Sequence, residues 1–143
     1  MIRSGRLTAV ILAALALAPI TASTAGATDG SLIERGNQQW AAGRLDDARK
    51  SFEQATAESP RSGEAYAKLA GLQLSMRDYP GAIRSYQQVI SLDSHNAKAW
   101  VGLGLAYLHG GQRELARAAF DEAQRVDASL KPKLATLVQQ LDQ

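Results

Sequence analysis

Residues 97–130 read AKAWVGLGLAYLHGGQRELARAAFDEAQRVDASL, and this stretch decides the fold because its pattern occurs three times. Its large and small apolar residues run Trp100-x2-Leu103-Gly104-x2-Tyr107 and then Ala116-x3-Phe120. The matching residues 34 positions earlier are Tyr66, Leu69, Ala70, Ala82 and Tyr86. Those 34 positions earlier again are Leu32, Gly36, Ala48 and Phe52, closed by Pro60. The chain therefore contains three tandem units, 29–62, 63–96 and 97–130.

This repeat resembles the tetratricopeptide repeat (TPR) family, whose unit is a helix-turn-helix. The three units cover 102 of the 143 residues. The resemblance implies an all-α fold, a right-handed α-solenoid of three TPR hairpins, with a concave groove that binds a protein or peptide partner. The repeated alanines and aromatic rings are then core residues, because small residues let helices approach and large rings fill the space between them.

Capping and turn residues indicate where the helices begin and end. Ser31 and Glu34 form an S-x-x-E capping box before the first helix. Gly43 and Gly110-Gly111 suit the turns within the first and third units, whereas Arg77 stands at the turn of the second. Beyond the third unit, the apolar residues of 131–141 follow helical spacing, which predicts a capping helix. Such a helix keeps the apolar flank of a terminal repeat from water.

Residues 1–27 have the pattern of a cleaved secretory signal peptide. A basic start with Arg3 and Arg6 precedes the apolar run Leu7–Ile20, and Ala25-Gly26-Ala27 supplies the small residues of a cleavage site. An uncleaved membrane anchor is the alternative, but a spanning helix needs roughly 20 apolar residues and this run is shorter. We expect cleavage after Ala27, a mature TPR domain over 28–143 and a periplasmic or secreted location.

Charge and cysteine content narrow the class of partner. The chain has 16 basic and 14 acidic side chains, and loss of Arg3 and Arg6 would leave 14 of each. A neutral mature chain without a Lys/Arg run argues against binding to nucleic acid or anionic membranes. The chain has no cysteine, so it has no disulfide framework.

A second stripe on the first helix of each unit lies roughly 100° from the core stripe, at 3.6 residues per turn. In the TPR family this stripe faces the groove, and its apolar residues at one repeat position are Trp40, Leu74 and Leu108, here called the apolar ladder. Alternatively, neighbouring helices cover this stripe. Both interpretations stay open for Ile33, Ala67 and Val101. The predicted partner-binding groove comprises Ile33, Asn37, Trp40, Lys68, Leu74, Lys98, Val101, Leu105, Leu108 and His109.

Carboxylate capture and catalysis have little support in the sequence. Co-chaperone TPR domains hold a partner's terminal carboxylates with a five-residue clamp, of which Asn37 and Lys98 match the expected type. Ile33, Lys68 and Gly102 stand where that clamp has lysine, asparagine and arginine. With two histidines, no cysteine and no phosphate-binding loop, we expect no enzyme activity, no metal and no cofactor.

The sequence leaves more than one function open. The first is an exported adaptor or scaffold that docks a peptide or helix of a partner protein in the groove and supports assembly of an envelope complex. The second is a self-associating structural unit that stacks end to end or pairs through its groove. A periplasmic folding helper with many weak clients overlaps the first. Fold alone does not choose among them.

Overall fold

The computed structural model describes residues 29–142, and the predicted signal segment lies outside this range. The described chain is all-α and has no strand. The helices form three antiparallel hairpins followed by a 3₁₀ turn at Ala128–Leu130 and one further helix. Their bounds are α1 Asp29–Ala41, α2 Leu45–Glu58, α3 Gly63–Ser75, α4 Tyr79–Leu92, α5 Ala97–His109, α6 Arg113–Val126 and α7 Lys131–Leu141. The predicted all-α fold, with helical hairpins followed by a terminal helix, is confirmed.

At the starts of α3 and α5, a polar side chain accepts a backbone N–H of the first turn. Ser62 accepts from Ala65 at 3.2 Å before α3, and Asn96 accepts from Ala99 at 3.0 Å before α5. Such caps satisfy one of the donors that a helix start leaves unpaired. The predicted cap at Ser31 is wrong, because α1 begins at Asp29 and Ser31 lies within its first turn.

Aromatic rings fill the space between the two helices of the first and third units. Phe52 and Phe120 are fully buried. A Cβ added at Gly36 would stand 2.7 Å from a carbon of the Phe52 ring, and one at Gly104 would stand 2.6 Å from Phe120. Both distances lie well inside van der Waals contact, so glycine at this repeat position makes room for the ring.

Polar pairs, partly buried in the first unit and buried in the second, stand where the third unit has a tyrosine and an alanine. The Ser51 hydroxyl donates to Gln39 Oε1 at 2.6 Å, and the Ser85 hydroxyl donates to Gln73 Oε1 at 2.7 Å. At the same repeat positions the third unit has Tyr107 and Ala119. A buried glutamine is therefore accompanied by a serine that satisfies it, as buried polar groups require.

The last helix packs antiparallel to α6. The Arg113 guanidinium donates to the Gln140 carbonyl at 2.7 Å, and Arg117 forms an ion pair with Asp142. Leu134 is buried against the Phe120 cluster, with Leu137, Val138 and Leu141 around it. These four residues lie 34 positions after Trp100, Leu103, Gly104 and Tyr107. The terminal helix thus follows α6 as a fourth unit's first helix would, although no Cα atoms within 8 Å link it to α5 in the described chain.

No helix among residues 29–142 is both long and apolar enough to cross a membrane.

Candidate functional site

The first helices of the three units lie side by side, and the second helices are set apart. Cα atoms within 8 Å link α1 to α3 and α3 to α5, whereas none in the described chain link α2 to α4 or α4 to α6. The face formed by α1, α3 and α5 is therefore the concave side of the solenoid. Most of the predicted groove residues lie on or beside it.

Helix α1 contributes less open surface to this face than the sequence predicts. Ile33 is 5% exposed and belongs to the core cluster with Leu32 and Phe52, so its prediction as a groove residue is wrong. Trp40 is half-buried and meets Phe52 edge-on, with ring centroids 6.4 Å apart. A Cβ at Gly71 would lie 3.5 Å from the Trp40 ring, so the ring reaches across to α3. Asn37 is half-buried.

Three predicted groove residues of α5 also pack against the core. Val101, Leu105 and Leu108 are half-buried, and all contact the cluster built around Phe120 and Leu134. The apolar ladder is therefore partly covered at two positions: Trp40 packs against the first core cluster, and Leu108 packs against the Phe120 cluster. Leu74 differs, because it lines a cavity.

That cavity, here called the turn-side cavity, has a volume of about 410 Å³ and lies where the α3–α4 turn approaches the end of α5. His109 stacks on Tyr79 with ring centroids 5.8 Å apart and planes 18° from parallel. The Arg77 side chain has no hydrogen bond or ion pair within residues 29–142. The lining residues are Leu74, Ser75, Arg77, Tyr79 and His109. An apolar wall, an aromatic pair and an unpaired guanidinium can accept a side chain together with an anionic group.

A smaller cavity of about 260 Å³ lies further along the concave face, with Lys98, Tyr86 and Ala67 in its lining. Lys98 is exposed and Lys68 is half-buried, and neither ammonium group has a partner in the described part of the chain. Burial raises the pKa of the Tyr86 phenol above its ordinary value. The Tyr86 ring presses on Gly102, so it occupies the space that a clamp arginine at position 102 would need.

The structure therefore brings Leu74 and His109 together at the turn-side cavity and places Lys98 at the smaller cavity, whereas Ile33 lies in the core. Sequence reasoning missed Tyr86, Arg77 and Tyr79. The available signals were an arginine at a turn that glycine makes elsewhere and a tyrosine at the core phenylalanine position. Among residues 29–142, no cluster of three or more His, Asp or Glu side chains could hold a metal ion.

The fold and the groove define a helical repeat protein built from stacked helix-turn-helix hairpins. Models of the tetratricopeptide repeat match residues 39–84 and 68–130, and the chain belongs to the TPR family. A known relative is the Hsp70-Hsp90 organizing protein of Triticum aestivum, which is 28% identical over 95 residues. The match covers 66% of this chain and 16% of that protein, so this chain spans a small part of its relative's length.

Solved structures share the fold at low sequence identity. The second TPR domain of human RPAP3, in complex with the HSP70 peptide SGPTIEEVD, matches with a TM-score of 0.74 at 22% identity. That match covers 80% of this chain and 95% of the RPAP3 domain. PcrH, in complex with the chaperone binding region of PopD, matches with a TM-score of 0.73 at 20% identity, covering 79% and 90% of the two chains.

Proposed function

We propose that this protein is an exported TPR adaptor that binds a peptide or helix of a partner protein on its concave face and supports assembly of an envelope complex. The observation that carries the proposal is the turn-side cavity, where Leu74 and His109 from neighbouring first helices meet beside Arg77, which has no side-chain partner among residues 29–142. Family membership adds support, since two of the similar structures hold peptide segments of other proteins. We regard the chain as a binding protein and not as an enzyme.

The chemistry of the concave face indicates what the partner segment carries. Leu74 offers an apolar contact, while Arg77, Lys68 and Lys98 are cations without a partner in the described chain. A segment with one or more apolar side chains and a nearby carboxylate satisfies both features. The match to two of five clamp positions, together with the Tyr86 ring at Gly102, disfavours the five-residue capture of a terminal carboxylate.

Filling the cavity tests the proposal without disturbing the core. Ser75 is exposed and lines the turn-side cavity, so Ser75→Trp occupies the space with a large side chain. Ala41 has the same repeat position in the first unit and is also exposed, so Ala41→Trp is the matched control. The two variants and the wild type are used to select from a displayed library of random peptides.

We expect the wild type and Ala41→Trp to enrich the same peptides, with apolar and acidic residues together, and Ser75→Trp to lose them. Equal enrichment by all three proteins would place binding elsewhere and refute the groove proposal. Envelope capture with the same three baits then names the partner.

Export is a separate part of the proposal, supported by the pattern of residues 1–27. Its test is the intact mass and N-terminal sequence of protein recovered after expression in a bacterial host with two membranes. A mature chain that begins at Thr28 and is released with the periplasmic fraction is the expected result. A full-length chain in the cytosol would refute export and leave the groove proposal untouched.

A further inference from the structure

Two further cavities line the convex face, on the side opposite the groove. Two adjoining cavities of about 470 and 390 Å³ fill a cleft between α4 and α6. Both are lined by Leu115 of α6 and by Tyr107 of α5, which forms the floor. The first cavity reaches Arg84 and the start of α4, and the second reaches Ile90 near its end. Leu115 is 47% exposed and separates the two cavities as a ridge.

The TPR fold does not require this cleft to be apolar. Its α4 wall presents Ile83 and Ile90, and its α6 wall presents Leu115 and Ala118. The equivalent cleft between α2 and α4 has the same repeat positions 34 residues earlier. There the corresponding residues are Arg49, Thr56, Gly81 and Arg84. One chain thus contains a polar and an apolar version of the same cleft, and exposed apolar surface of this kind marks an interaction site.

The cleft has the features that self-pairing requires, because the protruding Leu115 and the cavities that could receive it lie on the same surface. Leu115, Ala118 and Glu122 follow at i, i+3 and i+7 on one face of α6. Ala118 is small and exposed, so it permits close approach of a second helix. A two-fold axis between positions 118 and 119 places Leu115 and Glu122 at equal distances from the centre, about 5 Å along the helix at 1.5 Å per residue.

This symmetry matches the two cavities to two side chains. With α6 helices antiparallel, the partner subunit's Leu115 stands at the level of Glu122 and enters the second cavity, beside Ile90. The partner subunit's Glu122 stands at the level of Leu115 and enters the first cavity, which Arg84 lines. Among residues 29–142, Glu122 pairs only with Arg125, and such an exposed ion pair contributes little to stability, so Glu122 can exchange its partner.

We propose that two copies of this chain form a two-fold symmetric dimer through the α4–α6 cleft, with Leu115 of each copy inserted into the other. The interface is isologous, so each contact occurs twice. The helices α4 and α6 of both copies then form a four-helix arrangement on the convex side. Both concave faces remain open, and the dimer presents two grooves, which raises avidity for a partner with repeated segments.

Sedimentation equilibrium of the full chain tests the oligomeric state across ~1–100 µM, the range in which a modest interface associates. We expect a reversible dimer for the wild type and a monomer for Leu115→Glu. Leu92→Glu is the matched control, because Leu92 is the other large exposed apolar residue of the described chain and does not line the cleft. A monomeric wild type, or equal effects of both substitutions, would overturn the proposal.

A single cysteine tests the position of the two-fold axis, because the chain has no cysteine of its own. Ala118→Cys places two thiols near the axis, within the short Cβ separation that a disulfide needs. Lys50→Cys is the control, since Lys50 is exposed at the same repeat position of α2. Under mild oxidation we expect disulfide-linked dimer from Ala118→Cys only. Equal linkage of both variants would contradict this geometry.

Charge reversal tests the second contact independently. Arg84→Glu puts like charges opposite each other in the dimer and should weaken association at least tenfold, a change of about 1.4 kcal/mol. The double variant Arg84→Glu/Glu122→Arg should recover most of the affinity. If the second substitution gives no recovery, Arg84 and Glu122 do not face each other across the axis.

Discussion

The ring of Tyr86 in α4 lies against the α-carbon of Gly102 in α5, so that a Cβ at position 102 would stand 2.7 Å from the tyrosine oxygen. In the first and third units the corresponding rings, Phe52 and Phe120, lie against a glycine of their own first helix. The second unit has Ala70 at that position, and its ring meets the next unit instead. The aromatic residue at this repeat position thus packs within its own unit where that unit's first helix has a glycine, and against the next unit where it has an alanine.

Gly102→Ala should destabilise the protein, because the new methyl group overlaps the Tyr86 ring, which must shift to make room. We expect a loss of about 1–3 kcal/mol in the free energy of unfolding, the usual cost of overpacking. Gly63→Ala is the matched control, since a Cβ at this helical glycine meets nothing within 4 Å. Urea unfolding followed by circular dichroism measures both. Equal stability of the two variants would show that the Tyr86 ring moves aside freely.

The phenol of Tyr86 should make stability depend on pH in the alkaline range. Burial raises its pKa in the folded chain above the ordinary value of 10.0, which applies to the unfolded chain. The resulting stability is fully present below about pH 10 and is lost as the pH rises through the folded-state pKa. The free energy of unfolding of the wild type should therefore fall more steeply above pH 10 than that of Tyr86→Phe.

Tyrosinate absorbance supplies the direct measurement. A tyrosinate transition above pH 10 should appear in the folded protein and should be missing in Tyr86→Phe. If Tyr86→Phe instead reduces the absorbance change centred near the ordinary tyrosine pKa of 10.0, the Tyr86 phenol is solvated and its pKa is not raised.

The buried pair of Gln73 and Ser85 gives a rescue experiment. Ser85→Ala removes the hydroxyl that donates to Gln73 Oε1 and should cost about 1–3 kcal/mol, because the amide oxygen is left buried without its donor. The double variant Gln73→Tyr/Ser85→Ala reproduces the Tyr107 and Ala119 pair of the third unit. It should be more stable than Ser85→Ala alone in thermal unfolding. If the double variant is less stable than Ser85→Ala alone, the tyrosine and alanine pair fits only the surroundings of the third unit.

Arg77 should be the weakest backbone position of the described turns. Its φ is +63°, in the left-handed region that the matching residues Gly43 and Gly111 occupy at +75° and +79°. Arginine loses about 1–2 kcal/mol in this region, and glycine regains part of it against a more flexible unfolded chain. We expect Arg77→Gly to raise the free energy of unfolding by about 0.5–1 kcal/mol. Because Arg77 also lines the turn-side cavity, the same variant should weaken partner binding.

The fold was predictable from sequence because the 34-residue period repeats residues whose size decides helix packing. Glycine leaves room for an aromatic ring within its own unit, and Gly36 with Phe52 and Gly104 with Phe120 both follow this pattern. The groove was less predictable, because periodicity indicates which face of a helix a residue lies on but not how far neighbouring helices bury its side chain. Ile33 is covered by the first core cluster, while Leu74 opens onto a cavity, although both belong to the predicted set.

Helix α7 should contribute to stability by covering the end of the third unit. Leu134 is 5% exposed and packs against the Phe120 cluster, so Leu134→Ala should cost about 2–5 kcal/mol, as for other buried leucines. Thr136→Ala, at an exposed position of the same helix, is the control and should change little. Removal of residues 131–143 should have the larger effect, because it takes Leu137, Val138 and Leu141 away from the Phe120 cluster together with Leu134. Calorimetry measures the loss, and light scattering detects the aggregation that an uncovered apolar flank produces. A truncated protein with unchanged melting temperature and solubility would mean that α7 packs on the third unit without stabilising it.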